Sequence, residues 1–208
     1  MSLMAQLKSE TAEVHARTES HLRFLAADFT LAEYRETLLR FLGFYRPCEA
    51  ALTHATAGSS LEHFVRERLK TPAISHDLAL LGCTDAEVAA TPDTGNLPRL
   101  DTPASALGMM YVLEGATLGG AIVARHLRQH FGWSVVEGTN QAGAQVEQTR
   151  PLQFFTVYGD QLRDRWRAFA ELTEQHASPE NSPRICAVAC QTFSRFEGWL
   201  QPVSKLAG

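Results

Sequence analysis

An all-α domain of about eight helices is what the sequence predicts, and three observations carry that prediction. Apolar residues recur at three- and four-residue intervals over most of the chain. Capping residues precede several of these runs, and Gly or Pro follows them. No stretch alternates long enough for a strand, Val135 and Val136 being too short a run. At 208 residues the chain suits one domain with one sizeable core, taken as residues 1–208. Two Met in "MSLMAQ" give residues 1–3 the look of an added leader.

Leu3, Leu7, Thr11, Val14 and Thr18 predict a first helix over residues 3–22. Thr30 with Glu33 forms a capping box that opens a second, carrying Leu31, Tyr34, Leu38, Phe41, Leu42 and Tyr45; Pro47 should kink or end it. "LEHFVRERLK" (61–70) reads as a short helix stopped by Thr71-Pro72. Ser75 and Thr84 look like caps of short pieces, with Gly82 as a stop between them. "TPDTGNLPRLDTP" (91–103) is a loop, and Thr102-Pro103 supplies the cap and first residue of the next helix, which Gly132 ends. Residues 133–150 read as a second, polar loop. "LQFFTVYGDQLRDRWRAFAEL" resumes the helical pattern, and Ser182-Pro183 starts a last helix reaching Leu200. There is no internal repeat or low-complexity tract.

Composition bounds the function. With 45% hydrophobic and 20% charged residues, and a net charge of −4, the chain reads as an ordinary globular protein and not a nucleic-acid binder. No uninterrupted apolar run reaches bilayer length and no basic-then-apolar leader opens the chain, so no membrane association is expected. Cys48, Cys83, Cys186 and Cys190 form no CxxC pair, which fits buried thiols and a reducing, cytoplasmic location.

Several site chemistries drop out. A ferritin-like di-iron centre needs Glu three residues before His, and none of the eight His has it. His126 and His130 have metal-binding spacing, but Arg125 and Arg128 beside them repel a cation. Two patterns remain. In "LKSETAEVHARTE" (7–19), Lys8, Thr11, His15 and Glu19 are separated by 3, 4 and 4 residues and share one helix face. Glu19 can accept a hydrogen bond from the imidazole, as metal-bound His requires, and Lys8 lies roughly 10 Å along the axis. The same pair also suits a solvated surface turn. In "YVLEGATLGGAIVARHL" (111–127), Gly115, Gly119 and Gly120 interrupt a helical apolar run, each at a cost of about 1 kcal/mol. Either something packs against bare backbone there or the helix bends; close helix packing is the plain alternative.

These two segments, in this order, together with the later "FFTVYGDQLRDRWRAF", resemble the haem oxygenase family, in particular its soluble bacterial, biliverdin-producing branch; the similarity runs from Leu7 to about Leu200. The resemblance implies that His15 ligates haem iron and Glu19 orients it. It implies that Lys8, Thr11, Tyr111 and Arg163 bind the haem, the propionates above all, with Arg165 or Arg167 as substitutes for Arg163. Gly115 and Gly119 would lie over the distal face. One position departs: many members carry Asp after the first of these Gly, where this chain has Ala116.

The implied activity is oxidative cleavage of haem, both substrate and cofactor, to biliverdin, Fe2+ and CO. It uses O2 and an external ferredoxin- or flavoprotein-type electron donor. A bilin-binding photoreceptor is a conceivable acceptor of the product. Two rivals stand beside this reading: a haem-holding or haem-delivery protein without turnover, kept open by Ala116, and a thiaminase-like hydrolase, which needs a nucleophile such as Cys48, Cys186 or Cys190.

Overall fold

The structure, a computed structural model, describes residues 1–133 and 150–201. The expected polar loop and the Val135-Val136 pair lie outside the described residues but for its ends. Helices run over Leu3–Ser20 (α1), Leu31–Thr56 (α2), Glu62–Arg66 (α3), Thr71–Leu80 (α4), Asp85–Ala90 (α5), Ala106–Gly115 (α6), Gly120–His130 (α7), Leu162–Gln175 (α8) and Asn181–Leu200 (α9). Short 3-10 turns stand at Pro103–Ser105 and Gly159–Gln161. There is no strand among the described residues, so the fold is all-α.

The local signals act as expected at most starts and stops. The α1 stripe Leu3, Leu7, Thr11, Val14 and Thr18 is buried throughout. Its first residues belong to the fold, because Ser2 caps the helix and Glu174 of α8 accepts from the Leu3 and Met4 amides at 3.1 and 2.8 Å. The Thr30–Glu33 capping box forms, and the caps Thr84 and Thr102 complete boxes of their own with Glu87 and Ser105. Gly82 and Gly132 take φ of +79° and +66°, the left-handed region where glycine stops a helix without a Cβ clash.

Three expectations need correcting, the first two through a tertiary partner. Pro47 does not end α2, which runs on to Thr56. The Gly43 carbonyl, which would otherwise bond residue 47, accepts the Thr94 amide at 2.8 Å, so the 91–103 loop repairs the missing bond. A Cβ on Gly43 would come within 2.3 Å of the Pro92 oxygen, so glycine is what lets the loop sit so close. Thr71-Pro72 opens α4 instead of merely ending α3, and Ser75 lies inside it. The carboxylate of Glu49 on α2 caps that start by accepting from the Lys70 and Thr71 amides and the Thr71 hydroxyl. Finally, the run after Thr102-Pro103 is two helices, not one. Between α6 and α7, Thr117, Leu118 and Gly120 donate to carbonyls three residues back, at 3.0–3.1 Å.

α6 is the central element, packed between α9 and α2, with α1 against α9 and α8 against α1 and α6. The close α6–α9 crossing depends on Gly108, whose Cβ would stand 2.2 Å from the Ile185 oxygen. By length and composition, Pro103–His130 is apolar enough for a bilayer span, with an 18-residue window of mean hydropathy 1.5 that inspection of uninterrupted runs misses; 56% of that window is buried inside the bundle. Aromatic rings fill the space below α6, among them Phe24, Phe41, Phe154, Phe155 and Phe196.

Two buried polar systems cross this core. Glu114, near the end of α6, accepts from Arg68 at 2.9 Å, from Lys70, and from the Tyr158 hydroxyl at 2.9 Å. Asp77 of α4, fully buried, accepts from the Gln153 and Phe154 amides at 2.9 and 2.8 Å. Burial outweighs those two bonds and pushes the Asp77 carboxyl up to about 6 from its ordinary 3.8. A carboxyl raised in the folded state favours folding while it holds its proton, and that contribution is lost as pH rises through about 6. The difference between wild type and Asp77→Asn isolates this contribution. From pH 4 to 7 the wild type should lose stability relative to the variant by up to about 3 kcal/mol, read from urea unfolding at each pH. Parallel pH profiles would remove Asp77 as the source.

Candidate functional site

A narrow cavity of about 140 Å3 opens between α1 and the turn joining α6 to α7. Its α1 wall carries His15, Thr18, Glu19 and Leu22, and the facing wall carries Val112, Gly115, Ala116, Gly119, Gly120 and Val123. Phe24, Phe41, Phe154, Phe155, Phe193 and Phe196 line the rest. Among the described lining residues, only His15 and Glu19 are titratable. The slot is therefore apolar, with one imidazole and one carboxylate on one side and bare backbone on the other.

The walls follow from helix geometry. His15 and Glu19 flank the buried stripe of α1, so they stand at the slot's edge, each more than half exposed. His15 Nε2 lies 3.3 Å from Glu19 Oε1, and the imidazole packs on Phe193 with ring centroids 5.3 Å apart. Opposite, an ideal Cβ on Gly115 or Gly119 would meet nothing within 4 Å. Of the two answers to the glycine pattern, the break in the helix is the one seen, and open space lies over the bare backbone of Gly115 and Gly119. Gly120 is different, since its Cβ would stand 2.5 Å from the Phe155 oxygen. Ala116 faces the slot. Thr117 does not; its hydroxyl donates to the Glu114 carbonyl at 2.6 Å, and it lines a separate hollow beside Tyr158.

The structure thus brings together His15, Glu19, Gly115 and Gly119. It leaves Lys8, Thr11, Tyr111 and Arg163 outside the cavity lining. Lys8 is exposed and two turns from His15. Thr11 is buried, donates to the Leu7 carbonyl at 2.7 Å and lies against Tyr111. Tyr111 is half-buried, its ring 6.0 Å from Trp166, and burial raises its phenol. Arg163 is exposed on the first turn of α8. Arg165 and Arg167 are already paired, with Glu67 at 3.5 Å and Asp164 at 3.3 Å. The six phenyl rings escaped sequence reasoning, because a buried Phe on a helix looks the same whether it fills core or lines a slot.

Other candidates fit less well. None of the four cysteines lines the slot. Burial raises the Cys48 thiol and pushes Cys186 up to about 12, so both are poor nucleophiles. His130 Nε2 lies 2.6 Å from the Phe29 carbonyl, and no group of three or more metal-ligating side chains occurs among the described residues. A roomier cavity of about 500 Å3 between α2 and α9 is lined by Glu36, Leu39, Arg40, Pro92, Arg195 and Trp199, and its carboxylate, Glu36, is paired with Arg40 at 3.3 Å. Ligand pockets commonly measure about 300–1,000 Å3. An occupant of the 140 Å3 slot must then be thin, with part of it outside or with walls that part to admit it. Residues suited to such a ligand are present: a ring nitrogen, an apolar lining, and two positions where a Cβ would intrude.

Comparison with known proteins accords with this geometry. A family described as "Heme oxygenase" matches residues 1–202. A curated relative named "Heme oxygenase", from Xanthomonas campestris pv. campestris (strain 8004), is 32% identical over 108 residues, 52% of this chain and 52% of the relative. The match thus spans about half the length of the curated relative.

The two adjacent glycines give a stability test. Gly120→Ala must push the Phe155 backbone away and should cost about 1–3 kcal/mol. Gly119→Ala meets open space and should change unfolding free energy by less than about 0.5 kcal/mol. Denaturant unfolding of both variants checks this, and the reverse order would refute the packing described.

Proposed function

The chain belongs to the heme oxygenase family, and on that premise we propose that it cleaves haem oxidatively, with the macrocycle taken up between His15 and the Gly115–Gly119 turn. The observation that carries the reading is His15 facing two positions without side chains across an apolar slot. Bound haem is the substrate and supplies the iron, the site for O2 and the carbon that is oxidised; biliverdin, Fe2+ and CO are the products. Electrons come from an external ferredoxin- or flavoprotein-type donor. A cytoplasmic setting and a bilin-binding photoreceptor as acceptor belong to the same reading.

The chain's own residues have distinct tasks. The His15 imidazole ligates the iron, and Glu19 accepts its second N–H and holds the ring orientation. The phenyl lining excludes water from the macrocycle and favours its flat apolar faces. Gly115 and Gly119 let helix backbone approach the opposite face and leave room for a small gas. Lys8, Tyr111 and Arg163 lie outside the slot, suited to the carboxylate edge that a thin cavity leaves in solvent, and Thr11, buried and bonded to the Leu7 carbonyl, supports Tyr111 from behind.

Ala116 favours one second reading, a protein that holds or delivers haem without turnover. Among the described lining residues Thr18 has the only hydroxyl, and it donates to the Val14 carbonyl at 2.8 Å. The distal wall therefore has no side chain with which to hand on a proton, and turnover must use water. The thiaminase-like alternative gains nothing, with no cysteine in the slot.

Two variants test the reading. His15→Ala should lose the native Soret position with hemin and nearly all biliverdin formation, whereas His126→Ala should keep both. The opposite result would move the ligand. Gly119→Leu should fold and bind hemin, yet its single-turnover biliverdin yield with ascorbate should fall about tenfold or more, overpacking being worth ~1–3 kcal/mol. Full yield in Gly119→Leu would take that residue off the distal face, and hemin binding without turnover in wild type would favour the haem-holding protein.

A further inference from the structure

Two fully buried carboxylates, on different helices and outside the slot, reach the same stretch of chain. We propose that Asp77 and Glu114 are positioning residues for the slot: they fix the two ends of Pro151–Tyr158 and so set where Phe154 and Phe155 stand against a bound tetrapyrrole. The inference rests on the haem reading of the slot and deepens it.

Pro151–Tyr158 is a series of turns and not a helix, so much of its shape must come from outside it. At its near end Tyr34 donates to the Pro151 carbonyl, and both Asp77 oxygens are taken by successive amides, those of Gln153 and Phe154. Only a carboxylate accepts from two neighbouring N–H groups in this way with neither oxygen left over. At the far end the Tyr158 hydroxyl donates to both Glu114 oxygens, at 2.9 and 3.1 Å, while Arg68 and Lys70 balance the charge. Between these anchors the Phe155 carbonyl lies over Gly120, so the stretch also touches the start of α7.

Phe154 and Phe155 line the slot between the anchors. Glu114 is also the residue before Gly115, so one carboxylate holds both the phenyl-bearing stretch and the end of the opposing helix. Wall and facing backbone are thereby tied to a common point. A shift at either anchor alters the slot's width and tilt together, without touching His15.

The test compares full-length wild type, Asp77→Asn, Tyr158→Phe and the control Ser178→Ala, which removes a side-chain hydrogen bond with the Asn181 amide at the start of α9, outside the network of these anchors. Iron-free protoporphyrin IX reports seating without iron ligation, and the biliverdin isomer ratio from bound hemin reports tilt. Asp77→Asn turns one acceptor into a donor, and Tyr158→Phe removes one hydroxyl while leaving both cations on Glu114. Each should weaken protoporphyrin IX binding about three- to tenfold, the worth of one hydrogen bond, and shift the isomer ratio. Ser178→Ala, assayed as far below its melting temperature, should do neither. Wild-type binding and isomer ratio in both variants, or equal shifts in Ser178→Ala, would overturn the proposal. Should Asp77→Asn fail to fold, Tyr158→Phe decides. A wild type that binds neither porphyrin overturns the haem reading and this proposal with it; a wild type that binds, with unaltered variants, overturns this proposal alone.

Discussion

The position of the α6 end governs the rest of the site, and buried charge holds that end. Glu114, Arg68 and Lys70 are each almost wholly buried, and taking such groups out of water costs several kcal/mol apiece. That cost is offset only if every lone pair and proton finds a partner. Here the two cations and Tyr158 satisfy the carboxylate, Lys70 donates to the Arg68 carbonyl at 2.9 Å, and Arg68 donates to the Arg165 carbonyl at 3.3 Å and lies 3.9 Å over the Phe64 ring, with its Nε–H left without a hydrogen-bond partner among the described residues. The cations also stand at the C-terminal end of α6, where the helix dipole favours positive charge. The net gain in stability is small. The geometric consequence is large, because removing one partner leaves the others uncompensated, and few rearrangements of α6 avoid that.

Immediately beyond that anchored point the backbone tightens into the 116–119 turn. Tight i→i−3 bonding keeps most amides satisfied while changing the chain's direction, so the slot gains width without stranding donors in an apolar place. The two glycines flanking this turn face the void, and the residue after them does the opposite: Gly120 is filled by the Phe155 backbone. Neighbouring glycines thus answer two separate demands, room for a ligand and room for the protein's own chain.

Elements whose cause lies within a few residues were legible in the sequence. The α1 stripe, the Thr30–Glu33 capping box, the Thr84 cap and the stops at Gly82 and Gly132 all follow from local rules, and the structure realises them, while α9 starts at Asn181, just before the expected Ser182-Pro183 and without a side-chain cap. What escaped depends on a partner distant in the chain. α2 survives Pro47 because Thr94 repairs the bond, α4 begins at Thr71 because Glu49 reaches across from α2, and Gly120 is crowded only because the 151–158 stretch returns beside it. Gly115 and Gly119 stood out because they interrupt a helical periodicity, whereas His15 and Glu19, a pair that also suits a surface turn, stood out only through the resemblance of the two segments together to one family. Glu114 gave the same kind of signal, a lone charge within "ALGMMYVLEGA", and its spacing to the glycines overshadowed it.

The division of polar groups between slot and surface follows the same logic. A flat ligand with apolar faces and a charged edge is best held by a dry slot and a wet rim, since burying its carboxylates would incur a desolvation cost that no residue inside could repay. The slot has no cation among its described lining residues, while Lys8 and Arg163 lie exposed on α1 and α8, two helices that pack together. With Arg165 and Arg167 already paired to acids, Arg163 is the member of that cluster left to meet a charged edge. An acidic protein can in this way hold a dianion, by keeping attraction local to one rim and leaving the interior to shape and exclusion of water.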